Sequence, residues 1–208
     1  MQKSDIPFLT ATELSRLIKA KEVSPVETVE AYLERINEVD PKLNAYITVC
    51  GDEAMAQAKE SEQALAQGNY RGPMHGIPVA VKDQWWTKGI RTTAGSNILR
   101  DFIPDEDATV MTKLNDAGAI LLGKTNLTEF AMAYTYHYPF GTPTNPWDLS
   151  RMPGGSSAGS GSATAASLCA TSLGEDTAGS IRGPASYCGI VGLRPSVGRV
   201  SRFGLLGS

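Results

Sequence analysis

Residues 154–162 read Gly154-Gly155-Ser156-Ser157-Ala158-Gly159-Ser160-Gly161-Ser162, a run of glycine, serine and alanine only. Such a composition is typical of a flexible linker. Two neighbouring features favour a folded structure instead. The run leads directly into Ala163–Ala170, whose small side chains predict a closely packed helix, and a second glycine-bearing turn follows at Asp176–Ser180. Composition by itself leaves both interpretations open.

The residues before this run alternate between short apolar runs and a helical stretch. Ile77–Val81 predicts a buried strand that ends at Lys82, and Ala119–Leu122 predicts a second strand. Between them, Ala108–Ala117 predicts a helix that ends at Gly118. This alternation is typical of an α/β domain whose sheet is covered by helices on both faces.

The first third of the chain is predicted to be mostly helical. Thr10 and Glu13 form a capping box in front of one amphipathic helix, and Ser24-Pro25 begins a second. Ala45–Val49 predicts a short strand, and residues 52–67 predict a helix that stops at the following glycine. We assign this region to packing and partner surface, because no residue pattern in it indicates chemistry.

Composition excludes several classes of protein. The chain has 208 residues, 20% of them charged and 41% hydrophobic, which is ordinary for one globular domain. A formal net charge of −3 disfavours a nucleic-acid-binding surface. The sequence has no run of about 18 apolar residues, and Met1–Thr10 lacks the apolar stretch of a secretory signal. We therefore expect a cytoplasmic protein that makes no contact with a membrane.

The three cysteines, Cys50, Cys169 and Cys188, are too few and too scattered for a disulfide framework. No CxxC pair is present and the chain has only two histidines, which disfavours a zinc site. We interpret the cysteines as small buried apolar residues.

A serine nucleophile in these turns would need a base to take its proton and donors for an oxyanion. Neither histidine is a convincing base. His75 lies in a predicted loop, where turn and surface roles are common, and His137 lies among tyrosines that predict a pocket wall or simple packing: Tyr134, Tyr136 and Tyr138. Lys82 is the alternative base. At the end of its strand it either extends to solvent or points inward, where desolvation would lower its pKa.

The sequence contains the segments Gly76–Asp83, Gly123–Asn126, Asn145–Asp148, Gly154–Ser160, Gly174–Arg182, Cys188–Pro195 and Gly198–Ser201. Together these motifs resemble those of the amidase signature family. They occur in the family's order between about Phe8 and the last residue. The family's fold is a central mixed β-sheet covered by helices on both faces. The resemblance therefore implies an N-terminal helical region at residues 1–70 and the N-terminal part of a catalytic domain at 71–208.

The resemblance implies that Lys82, Ser156 and Ser180 form a triad that hydrolyses a carboxamide without a metal or organic cofactor. Lys82 would deprotonate Ser156, Ser156 would deprotonate Ser180, and Ser180 would attack the carbonyl carbon. A cis peptide bond is implied between Gly155 and Ser156, and the interval between the two serines leaves room for one helix and one strand. The oxyanion donors are expected from Thr177, Ala178 and Gly179, and the supporting residues are Gly155, Ser157, Asp176 and Arg182.

Two departures from the family pattern affect these expectations. Ala178 stands where the family usually has glycine, so the oxyanion hole requires that this position have no positive φ angle. Family members also continue well beyond Ser208, so we expect this chain to be a fragment whose substrate cannot be inferred. Trp85 and Trp86 are interpreted either as core residues or as an apolar wall near the site.

The leading hypothesis is a free-standing amidase that acts on a small-molecule amide, alone or as a homodimer. The aromatic segments, Trp85-Trp86 and Tyr134–Tyr138, favour a bulky apolar substrate. The alternative within the family is the glutamine-hydrolysing component of an aspartyl/glutamyl-tRNA amidotransferase, its A subunit, which would need its partner subunits. A non-catalytic binding module is a third hypothesis, and the intact lysine and serines disfavour it.

Overall fold

The computed structural model describes residues 2–132 and 136–206. The helices are α1 (Ala11–Lys19), α2 (Pro25–Leu43), α3 (Gly51–Ala66), α4 (Thr109–Asp116), α5 (Ala158–Ala165) and α6 (Arg182–Cys188). The strands are β1 (Tyr46–Val49), β2 (Pro78–Lys82), β3 (Ile120–Thr125) and β4 (Thr171–Leu173). Short 3₁₀ segments lie at Lys3–Phe8, Asn97–Leu99 and Glu129–Ala131. The helices predicted before residue 120 and all three predicted strands are confirmed.

Local capping interactions begin the first two helices. The Thr10 hydroxyl accepts the Glu13 N–H at 3.2 Å, while the Glu13 carboxylate accepts the Thr10 N–H at 2.9 Å. Ser24 and Glu27 form the same reciprocal pair in front of α2, and Pro25 occupies its first turn. Both capping interactions follow from short sequence motifs, which is why the sequence predicts these helix starts well.

The four strands form one mixed sheet in the order β1-β3-β2-β4. Strand β2 runs parallel to both β3 and β4, whereas β1 pairs with β3 antiparallel. Strand β1 comes from the predicted helical region, so the first 70 residues contribute one strand to the same sheet as the later residues. The division of the chain at residue 70 stays a prediction.

Helices cover both faces of this sheet. Ile120 and Leu122 of β3 belong to a large apolar cluster with residues of α1, α2, α3 and α5. Leu121, which alternates with them, belongs to a second cluster with Met111 of α4. The predicted α/β class with a covered mixed sheet is therefore confirmed. Within the described residues, no helix is long and apolar enough to span a membrane.

The predicted position of the small-residue helix is wrong. The sequence predicts it at Ala163–Ala170, but α5 begins at Ala158, inside the glycine–serine run, and ends at Ala165. The linker interpretation of that run is wrong for the same reason. Gly159 lies so close to the backbone of Asn126 and the Ala45 carbonyl that a Cβ atom would collide with both. Small residues let the backbone of α5 pack directly against Ala45, which precedes β1, and Asn126, which follows β3.

Several side chains sit in the core. Cys50, Cys169 and Cys188 are buried and free, as predicted, and burial raises the pKa of each thiol. The surface interpretation of His75 is wrong, because its ring is fully buried. Its Nδ1 accepts the Arg71 N–H at 3.2 Å and its Nε2 lies 2.9 Å from the Ser61 carbonyl oxygen, so the imidazole fastens a turn.

Candidate active site

Lys82 ends the fully buried strand β2, and its side chain has no exposed area. Its Nζ atom lies 2.7 Å from the Ser156 hydroxyl and 3.5 Å from a carboxylate oxygen of Glu175. Burial lowers the pKa of Lys82 from 10.5 to about 8, against the opposing charges of Glu175 and Asp176. Lys82 therefore points inward rather than to solvent, and its ammonium group loses its proton unusually easily.

The sheet topology gathers these groups at one edge. Because β2 is parallel to β3 and β4, the carboxyl ends of all three strands meet there. Val81 pairs with Leu173, so the chain that leaves β4 passes directly beside Lys82. Ser156 precedes α5, whose small residues bring that helix close to the same edge.

The peptide bond between Gly155 and Ser156 is cis, as the family resemblance implies. Ser157, the next residue, connects this bond to the second turn. Its N–H donates to the Ser180 carbonyl at 3.3 Å, and its hydroxyl both accepts the Glu175 N–H and donates to the Glu175 carbonyl. The two serine-bearing loops are therefore fastened together through Ser157.

Ser180 is buried and lies two residues before α6. Across the described ranges, its hydroxyl makes no hydrogen bond to Ser156. The structure thus joins Lys82 to Ser156 directly, and it joins Ser180 to this pair through the Ser157 backbone.

Asp176 organises the turn in front of Ser180. Its carboxylate accepts the N–H groups of Gly179 at 2.7 Å, Ile181 at 3.1 Å and Arg182 at 3.2 Å, and it also pairs with the Arg182 guanidinium at 3.0 and 3.1 Å. Burial raises the pKa of Asp176, but these hydrogen bonds outweigh it and hold the pKa well below its usual range. Asp176 therefore stays ionised and fixes the shape of the turn.

The expected oxyanion donors have different surroundings. The Gly179 N–H is already bound to Asp176, and Gly179 has a φ angle of +135°. Thr177 and Ala178 are exposed, and neither N–H has a backbone or side-chain acceptor within the described part of the chain. Ala178 is not among the described residues with a positive φ angle, so alanine fits this position without strain.

Glu175 is a site residue that the sequence analysis missed. It lies within the Gly174–Arg182 motif, but nothing in the sequence indicates that its side chain faces Lys82. Sequence reasoning also did not identify the buried ion pair of Lys124 and Asp83 beside the site. Lys124 Nζ donates to the Trp85 carbonyl and to the hydroxyls of Thr87 and Thr92 at 2.7–3.0 Å, and lies 3.4 Å from Asp83.

The two tryptophans pack rather than line an open wall. Trp85 is buried in the second apolar cluster, and its indole N–H donates to the Gly174 carbonyl at 3.2 Å. Trp86 contacts Phe102 and Phe203, with ring centroids 6.3 and 6.2 Å away. The core interpretation is therefore confirmed for Trp85.

The tyrosine segment borders the site in part. Tyr134 lies outside the described residues, and His137 is exposed. A Cβ atom on Gly155 would lie 3.7 Å from the Tyr138 hydroxyl and the Thr128 methyl, and 3.8 Å from the Tyr136 ring. Within the described residues, the Tyr138 and Thr128 hydroxyls are buried without a hydrogen-bond partner. Burial raises the pKa of Tyr138 to about 12, so its phenol stays protonated.

Residues 27–208 match the family model described as Amidase. The chain belongs to this family. The predicted resemblance to the amidase signature family is thus confirmed. Among the described residues, no group of three or more histidine, cysteine, aspartate or glutamate side chains is arranged to hold a metal ion.

Proteins similar to this chain include both amidotransferase components and amidases. It is 50% identical over 203 residues to the A subunit of the glutamyl-tRNA(Gln) amidotransferase from Carboxydothermus hydrogenoformans, a match that covers 97% of this chain and 42% of that protein. It superposes on the solved peptide amidase of Stenotrophomonas maltophilia with a TM-score of 0.90 at 40% identity, covering 94% of this chain and 42% of that one. For a solved fatty acid amide hydrolase the TM-score is 0.93 at 33% identity, covering 98% and 36%. The chain therefore spans about two fifths of the length of the curated relatives.

Proposed function

We propose that this chain carries the catalytic residues of an amidase that hydrolyses a carboxamide through Lys82, Ser156 and Ser180. The observation that carries the proposal is the buried Lys82 Nζ atom at 2.7 Å from the Ser156 hydroxyl. A buried amine in contact with a hydroxyl suits a general base, because its neutral form is accessible near neutral pH.

The reaction divides into two transfers of the acyl group. Neutral Lys82 takes the Ser156 proton while Ser156 takes the Ser180 proton, and Ser180 Oγ attacks the carbonyl carbon. The C–N bond then breaks, and the proton returns through Ser156 to the leaving nitrogen. Water repeats the sequence on the resulting ester and releases the acid. The Ser156–Ser180 contact would close when substrate binds, as catalytic hydrogen bonds often do.

The oxyanion needs N–H donors that are not already used. The backbone N–H groups of Thr177 and Ala178 meet that condition in the described part of the chain, and so does that of Ser180. The Gly179 N–H joins them only if it exchanges Asp176 for the oxyanion. Asp176 and Arg182 act on the turn rather than on the substrate.

The test is covalent labelling of the full-length gene product with a fluorophosphonate, followed by intact-mass spectrometry. Wild type should gain one adduct, and Ser180→Ala should gain none and lose amidase activity by several orders of magnitude. Ser4→Ala changes an exposed serine and should label like wild type. An adduct on Ser180→Ala would show that another residue is the nucleophile.

We further propose that the enzyme acts alone in the cytoplasm on a small-molecule amide with an apolar group. The support is the pair Tyr136 and Tyr138 beside Gly155, because aromatic rings suit such a group better than a short polar side chain. The buried Trp85 gives no support, although its sequence position suggested that it would.

A second candidate function is glutamine hydrolysis within a tRNA-dependent amidotransferase. The 50% identity to the A subunit of such an enzyme favours it. The two candidates differ in what the purified chain does alone. A free amidase hydrolyses simple aliphatic or aryl amides unaided. An amidotransferase component prefers glutamine and gains activity when partner subunits and charged tRNA are added.

A further inference from the structure

Glu175 presents its carboxylate to Lys82 in a largely enclosed space. The side chain of Glu175 is 10% exposed and that of Lys82 is 0% exposed, with 3.5 Å between Oε2 and Nζ. The Thr177 hydroxyl donates a hydrogen bond to the other carboxylate oxygen, Oε1, at 2.7 Å, which fixes the orientation of the carboxylate. The Glu175 backbone is fixed on both sides by the Ser157 hydroxyl. Both the backbone and the carboxylate of Glu175 are therefore held in position by hydrogen bonds.

A lysine base has a geometric requirement that this arrangement meets. A neutral amine has one lone pair and two N–H bonds, and the lone pair must face the Ser156 hydroxyl for proton transfer. The N–H bonds then need an acceptor, because Lys82 is fully buried. Among the described residues, the polar contacts of Nζ are the Ser156 hydroxyl and Glu175 Oε2. An N–H bond directed at Glu175 leaves the lone pair directed at Ser156.

We propose that Glu175 is the positioning residue of the lysine base: it orients Lys82 and sets the pH at which Lys82 takes a proton. This inference rests on the proposed function of Lys82. Glu175 touches neither the substrate nor the nucleophile in this scheme, and it acts through the amine alone.

The other charges around Lys82 are already neutralised by partners. Asp176, the second carboxylate of the same segment, pairs with Arg182 at 3.0 Å and with Arg194 at 3.6 Å. Asp83, which follows Lys82 on the chain, lies 3.4 Å from the fully buried Lys124. Among the described residues, Lys82 is the only cationic side chain within 4 Å of the Glu175 carboxylate. Replacing Glu175 by glutamine therefore removes the main unneutralised charge that Lys82 faces.

A carboxylate at this distance offsets part of the effect of burial. Burial alone favours the neutral amine, but an amine that gives up its proton too readily is also a weak base. The Glu175 charge stabilises the ammonium form and restores base strength. Glu175, which follows β4, thus adjusts the base strength of Lys82 at the end of β2.

The test is the pH dependence of kcat/KM for an uncharged amide, measured on the full-length gene product. In wild type, the rate should rise with pH as Lys82 loses its proton, and Lys82→Ala should abolish that rise. Glu175→Gln keeps an acceptor oxygen and loses the charge, so the midpoint of the rise should move down by about one pH unit. Its plateau should fall by about tenfold, because the base is weaker. Glu38→Gln, on the exposed face of α2, should leave both unchanged.

Glu175→Asp provides a second variant, because it keeps the charge and should keep the midpoint near that of wild type. A midpoint that stays at the wild-type pH in Glu175→Gln would overturn the inference, whatever happens to the plateau or to thermal stability. Failure of the proposed function has a different appearance. In that case Lys82→Ala retains the rise of rate with pH, so the two failures are distinguishable.

Discussion

Replacing Lys82 by arginine separates the charge of this side chain from its ability to accept a proton. Arginine keeps the positive charge and similar bulk, but it does not deprotonate in proteins. We expect Lys82→Arg to be inactive at every pH at which the fold survives. Wild type should show a rate that rises tenfold per pH unit and then levels off.

The structure gives the pH range in which the rate of the wild type should increase, and the extent of the increase. Burial brings the pKa of Lys82 from 10.5 to about 8. The neutral fraction is then roughly 9% at pH 7 and roughly 90% at pH 9, so the rate should level off above about pH 9. An exposed lysine would be neutral about 300-fold less often at pH 7. The net lowering of the Lys82 pKa therefore corresponds to about 3 kcal/mol in favour of the neutral amine.

The assay follows kcat/KM between pH 6 and 9.5 with an amide that has no titratable group, and thermal melts at each pH confirm that the protein stays folded. Lys59→Arg, an exposed change on α3, serves as the control and should retain the wild-type profile. A wild-type rate that is flat between pH 7 and 9 would refute the assignment of Lys82 as the base. So would a Lys82→Arg variant that keeps more than about a hundredth of the activity.

Two further predictions concern the framework of the site. Gly159→Ala should lower the free energy of unfolding by about 1–3 kcal/mol, because its Cβ atom would meet the Asn126 backbone, whereas Gly51→Ala has room and should cost nothing. Equal melting temperatures for the two variants would contradict this packing argument. Asp176→Asn should reduce kcat at least about tenfold with little change in KM, because the turn before Ser180 loses its charged acceptor. Unchanged kcat with intact fluorophosphonate labelling would show that the turn holds its shape without that charge.

The parts of the fold that the sequence predicts well depend on local interactions. The capping box of Thr10 and Glu13 acts across three residues, and the apolar run Ile77–Val81 needs only burial on both faces to form a strand. Helix α5 depends instead on contacts distant in sequence. Glycine and serine are poor helix formers, so local preference predicts the helix too late. The backbone of Asn126, more than thirty positions earlier, is what favours small residues from Ala158 onward.

The site divides in the same way. The proposed triad of Lys82, Ser156 and Ser180 follows from motifs that resemble those of a known family, and it stays a prediction. The contact between Lys82 and Glu175 could not be predicted, because it requires knowing that β4 lies next to β2 in parallel register. Strand order is a property of the whole sheet, and β4 is only three residues long with one exposed position. Its short sequence carries little information about where it pairs.

The two buried lysines at this end of the sheet show why Lys82 is suited to lose a proton. Lys124 and Lys82 are both fully buried on neighbouring strands, and burial lowers the pKa of both. Lys124 has three hydrogen-bond acceptors within 3.0 Å as well as Asp83, which matches the three donors of an ammonium ion. Lys82 has one hydroxyl at 2.7 Å and one carboxylate at 3.5 Å, so its ammonium form is left short of acceptors. An under-coordinated buried cation is costly, and the loss of its proton to solvent or to a reacting group relieves that cost. The difference in acceptors, rather than in burial, therefore separates a structural lysine from one suited to act as a base.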